Sequence, residues 1–110
     1  MSKSSKSGKS DVSAEEKEQL KLLSRLRAYT ADLTKAQNEY VAALKSGNTE
    51  LQGYWKGSMQ DAERMRDRLS DIMKQTDQST YAYQRFDKIL YDSLELQEKH
   101  ADAVAKVNKE

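Results

Sequence analysis

The sequence predicts an all-α chain: an antiparallel helical hairpin, coiled-coil-like, that pairs with a second hairpin into a four-helix bundle. Three observations predict it. The 110 residues contain no Pro and only four Gly, so little interrupts a helix. Apolar residues recur at alternating steps of three and four along most of the chain, the spacing of a coiled-coil seam. Residues that favour turns gather once at mid-chain, between Gly47 and Gly57.

Composition narrows the function classes. The chain is 34% charged and only 36% hydrophobic, which suits an extended helical protein with a narrow apolar seam. A lone hairpin of this kind buries little surface, so a partner chain is expected. The formal net charge of +1 gives no footprint for nucleic acid or an anionic membrane. There is no Cys, which removes disulfide frameworks and Cys-based metal sites. His100 is the only His, so catalytic triads and His-based metal sites fail. No apolar run approaches the ~20 residues of a membrane span. Lys3, Lys6 and Lys9 have no apolar stretch behind them, so no conventional signal peptide is expected. The glycines are too few for a phosphate loop. No nucleophile, base and pocket converge, and the reading is a non-enzyme without cofactor or metal.

The elements follow in order. Residues 1–12 are Ser, Lys and Gly with almost nothing to bury, and read as a disordered tail. The hairpin occupies 13–95. Helix 1, about 13–46, opens on a capping box, Ser13-Ala14-Glu15-Glu16. Its seam is Leu22, Leu26, Tyr29, Leu33, Ala36, Tyr40 and Ala43, with Leu23 and Leu44 flanking it. Gly47 suits a left-handed helix end. Residues 47–57 form the elbow, with Leu51, Tyr54 and Trp55 folding back on the hairpin tip.

Helix 2 starts at 58 with a second capping box, Ser58-Met59-Gln60-Asp61. Its seam is Ala62, Met65, Leu69, Ile72, Thr76, Ser79, Tyr83, Phe86 and Leu90. The phase continues through Ser93, Gln97, His100, Val104 and Val107. The polar stretch Gln75 to Thr80 should be the softest part of this helix, with a kink. Arg64, Arg66 and Arg68 read as a solvated face. Drawn to 108, helix 2 outruns helix 1, so the C-terminal part overhangs without support. Residues 96–110 read as a fraying helical or disordered tail, and an unsupported end suits a recognition signal.

Two motifs stand out. Trp55-Lys56-Gly57 holds the only Trp, at mid-chain between two helical segments. Trp supplies a large rigid surface, and Gly allows a sharp turn beside it. Later, Tyr83-x-x-x-Asp87 continues to Leu90 and Leu94 at spacings that keep one helix side. Tyr91-x-x-x-Glu95 is a second match of the same form.

Together these motifs resemble the Trp-X-Gly (WXG) family of Esx-type, early-secreted-antigen-like proteins, substrates of type VII secretion in Gram-positive bacteria and mycobacteria, and their small helical partners. The resemblance covers about residues 13–95. It implies that Trp55 and Gly57 sit at the elbow. It also implies an export signal at Tyr83, Asp87, Leu90 and Leu94, with Tyr91 and Glu95 as second candidates. The implied dimer seam uses Leu22, Leu26, Tyr29, Leu33, Tyr40, Met65, Leu69, Ile72 and Phe86. The partner would be a second copy, a paralogue or an LXG-type toxin, and the receptor a type VII secretion ATPase. The chain would be cytoplasmic before export, then secreted or surface-held without a cleaved signal peptide. The main alternative is a cytoplasmic structural or adaptor coiled-coil hairpin unrelated to secretion. A membrane-active effector is disfavoured by the low hydrophobicity.

Overall fold

The computed structural model describes residues 13–109, and the expected tail over 1–12 lies outside them. The described residues are helical with no strand. Three helices appear where two were expected: α1 (Ala14–Ser46), α2 (Thr49–Met73) and α3 (Tyr81–Lys109).

α1 begins where its capping box predicts. The Glu16 amide donates to Ser13 Oγ at 3.1 Å, and Glu15 and Glu16 occupy the first turn. It ends at Gly47, whose φ of 72° and ψ of 19° are left-handed. The Asn48 amide then donates to Ala43 O at 3.0 Å. An L side chain would be strained at this position, so Gly is required here.

The elbow is much shorter than 47–57. Only Gly47 and Asn48 lie outside helix, and Asn48 Oδ1 caps α2 by accepting from the Leu51 amide at 3.0 Å. Ser58 is therefore interior to α2 and caps nothing. The physical reason is local. Asn48 offers a good cap ten residues earlier, and no Pro follows. Gly53 and Gly57 each cost about 1 kcal/mol relative to Ala in a helix interior, too little to keep so long a segment out of helix.

The second expected helix divides at Lys74–Thr80. The polar run is a chain reversal, not a kink, because its side chains capture its backbone. Asp77 Oδ1 accepts from the Ser79 amide at 2.9 Å. Thr80 Oγ1 accepts from the Tyr83 amide at 3.0 Å and so caps α3. α1 holds this loop from below. Gln19, fully buried, donates from Nε2 to Thr76 Oγ1 and to Asp77 O, both at 2.8 Å.

After that reversal α3 runs antiparallel to α2 and parallel to α1. Gln37 Nε2 donates to Leu96 O at 3.4 Å, and Tyr40 meets His100 edge-on with ring centroids 5.8 Å apart. α1 packs closely on both other helices, while α2 and α3 meet at fewer points, among them the long side chain of Arg66 and the apolar cluster at the loop end. The expected overhang is corrected accordingly, while the tail expected as fraying helix or disorder is helical over its described residues. α3 continues to Lys109, and Leu96, Gln97, His100, Val104 and Val107 are half-buried.

The core has two parts. Leu22, Leu23, Leu26, Leu69, Met73 and Phe86 fill the end beneath the loop, with Tyr83 and Leu90 packed against them. Leu33, Ala36, Met59 and Ala62 fill the Gly47 end, with Tyr40 and Trp55 against them.

The α1 seam lies where the heptad places it, with Leu22, Leu26, Leu33, Ala36 and Ala43 buried and Tyr29 and Tyr40 half-buried. The α2 seam is out of phase. Met59, Ala62, Arg66, Leu69 and Met73 turn inward, so Arg66 and Met73 replace Met65 and Ile72, which are exposed. A third helix explains this. α2 must bury a stripe that faces α1 and still reaches α3. The seam residues assigned to a contact between chains are, apart from Met65 and Ile72, occupied within one chain.

Candidate docking surface

Trp55 lies nearly two turns into α2. It is half-buried and turned onto α1 in the second core cluster. Tyr54 stands edge-on to it at 4.8 Å between ring centroids, and Lys35 Nζ lies 5.9 Å from its ring centroid. These contacts give the indole a cation–π partner and an aromatic neighbour, so it fastens α2 to α1.

Gly57 makes no turn. It is helical, and a Cβ added there would meet nothing within 4 Å; the same holds for Gly53. The role expected for Gly57 at a sharp bend is therefore corrected: Gly47 makes the turn.

Beside Trp55 a cleft of about 300 Å³ opens between α1 and α2. Tyr29, Asp32, Trp55, Ser58, Asp61 and Met65 line it, and no residue of α3 does. Its floor is aromatic and apolar, while its rim carries both signs of charge through Asp32, Asp61 and Lys35. Asp61 also pairs with Arg64 one turn along. An open cleft with exposed apolar side chains beside it can receive a side chain or helix from another protein.

The two candidate signals on α3 differ in access. Tyr83 is half-buried and belongs to the loop-end core, as does Leu90. Asp87 is exposed. Tyr91 is 65% exposed, Leu94 is 47% exposed, and Glu95 faces solvent. The Trp-X-Gly and the first Tyr-x-x-x-Asp belong to separate packing clusters, so the structure does not join them into one site.

Sequence reasoning missed the polar contacts that fasten α3. The Arg66 side chain is only 4% exposed. Its Nε donates to Asp67 at 2.9 Å, and its Nη1 donates to Gln97 Oε1 at 2.8 Å and to Ser93 Oγ at 3.4 Å. The expectation that it lies on a solvated face is corrected, although Arg64 and Arg68 are exposed. Hydropathy favours Met65 over Arg66 at that step of the seam, so only the presence of Ser93 and Gln97 opposite reveals the choice. Glu63, nearby, is held above the usual carboxylate range by desolvation, with Arg66 opposing that shift.

Among the described residues there is no cluster of His, Cys, Asp or Glu able to hold a metal ion, and no helix is long and apolar enough to cross a membrane. Compared with known proteins, the chain matches no family model, no curated protein and no solved structure.

Proposed function

We propose that this chain is a small non-enzymatic helical protein that works by protein contact, as a type VII secretion substrate or as the targeting partner of a larger secreted toxin. In this reading it is cytoplasmic before export and leaves the cell without a cleaved signal peptide. It pairs with another small helical protein, in a four-helix or larger assembly, and is read by a secretion ATPase. The observation that carries the reading is the exposed Tyr91-x-x-x-Glu95 on α3, with Leu94 beside it. A receptor can reach these side chains without moving any helix. Tyr83, by contrast, is engaged in the core. Of the two candidate signals, Tyr91 and Glu95 are the better supported.

The test is export into the medium from a host carrying type VII machinery, with and without its ATPase. The wild-type chain should appear outside only when the ATPase is present. Tyr91→Ala and Glu95→Ala should stay inside while keeping full helicity. Unchanged export of both variants would remove this signal, and ATPase-independent export would remove the reading.

A second reading has its own support. Among the described residues α3 packs along α1 as far as Tyr40 and His100, with Val104 and Val107 half-buried beyond them, and the Trp-X-Gly is not at the bend. Both features suit a cytoplasmic adaptor bundle, which would never appear outside the cell.

A further inference from the structure

We infer that the outer face of α2 is a self-complementary docking surface, and that its partner is a second copy of this chain packed antiparallel, α2 against α2. This deepens the proposed function, resting on its reading of a protein that acts by pairing.

Three features carry the inference. The first is an apolar column. Leu51, Ser58, Met65 and Ile72 are spaced by seven, so they share one line along the helix. Leu51, Met65 and Ile72 are 46%, 37% and 45% exposed, and Tyr54 beside them is 66% exposed. Among the described residues this line is only partly covered, because α2 turns Met59, Arg66 and Met73 inward instead.

The second feature is the cleft. Met65 and Tyr54 stand at its edge, so a helix laid along the column also lies over Trp55 and Tyr29.

The third is the order of charge. Asp61 and Arg68 lie seven residues apart on the column's outer flank, one on each side of Met65. Both are exposed; Asp61 pairs with Arg64 on its own helix, an exposed contact it can share or exchange, and among the described residues Arg68 has no ion pair. Two copies related by a two-fold axis beside Met65 set each Asp61 opposite the other's Arg68. A parallel arrangement would carry the two copies of this flank to opposite sides of the seam, and no such pair would form. Isologous contact requires one patch to satisfy itself in this way. The same axis brings Ile72 of the second copy across from Gly57 and Ser58. There the missing side chain leaves open space.

The absence of native Cys allows a direct test in the full-length chain. Met65→Cys is the sole thiol in that variant and lies next to the two-fold axis. On mild oxidation it should form a disulfide-linked dimer. Gln60→Cys, exposed on the other side of α2, should not. Sedimentation of the unmodified chain over a roughly thousandfold concentration range should show a monomer–dimer equilibrium. Met65→Glu should shift it to monomer with unchanged helicity. Arg68→Asp breaks both symmetry-related pairs and should weaken the dimer about two- to thirtyfold, the scale of two exposed charge pairs. Asp61→Arg combined with Arg68→Asp should restore it.

A chain that stays monomeric throughout, or a dimer indifferent to Met65→Glu, overturns the inference. So does cross-linking that is equal at positions 60 and 65. Export is read separately on the same variants. A monomer that is still exported refutes the dimer alone, and a dimer that is never exported refutes the secretion reading alone.

Discussion

Thr80 Oγ1 donates to Oε1 of Gln19 at 2.7 Å, joining residues 61 positions apart. The same Gln19 amide donates to Thr76 and Asp77, so one buried side chain spans the loop that turns α2 into α3. Glu15 adds a contact on the solvent side by accepting from the Asp77 amide at 3.0 Å. The start of α3 is thus positioned by α1, and the exposed Tyr91 and Glu95 inherit their placement from it.

Replacing Gln19 should therefore cost more than an average surface change. Gln19→Leu keeps the bulk but leaves its contacts to half-buried Thr76 and Thr80 and to the Asp77 carbonyl unmade. The expected loss is about 1–3 kcal/mol, the penalty for stranded buried polar groups. Urea unfolding followed by helicity measures it. A loss within error of zero would show that the loop holds itself.

Gly57 and Gly53 give the opposite expectation. Both are helical and have open space where a Cβ would stand. Gly57→Ala should stabilise the monomer by about 0.5–1 kcal/mol, through helix propensity and a less flexible unfolded chain. Gly47→Ala should destabilise it, because Gly47 has φ of 72°. Thermal melts at a concentration low enough to keep the chain monomeric separate the two. If Gly57→Ala destabilises and Gly47→Ala does not, the bend is misplaced.

Arg66 tests how α3 is held. Arg66→Ala removes the donors to Ser93 and Gln97 and empties a buried site, for an expected loss of about 2–4 kcal/mol. Arg66→Met should cost clearly less, because an apolar chain of similar length refills the space. Equal effects of the two would mean that the charge itself holds α3. Denaturant titrations of both variants decide.

His100 adds a pH dependence. Desolvation beside Tyr40 holds its pKa below the usual 6.5, so the fold favours the neutral ring. The unfolded chain then binds the proton more readily. Stability is fully present above the unfolded pKa and begins to fall as pH drops through it, the loss growing until the lower folded pKa is passed. Melting temperatures between pH 8 and pH 5 should fall for the wild type and fall less for His100→Gln. Asp77 contributes in the same direction at lower pH. Hydrogen bonds from Ser79 lower its pKa, so its contribution is lost as pH falls from the usual carboxylate value through the folded one.

The sequence by itself determined the helical class, the start of α1 at Ser13, its end at Gly47 and the buried stripe of α1. Each rests on local rules: a capping side chain, a left-handed Gly, and an uninterrupted seven-residue repeat. Even the phase of α3, through Phe86, Ser93 and His100, was legible from spacing. The tertiary structure alone decided the rest. Whether Gln75 to Thr80 bends a helix or reverses it depends on Gln19, distant in sequence but buried beneath the loop. Whether α2 buries Met65 or Arg66 depends on Ser93 and Gln97 waiting across the interface. Hydrophobic spacing reports which side of a helix is oily. It carries no information about how many neighbours that side must satisfy, and a third helix was what changed the answer.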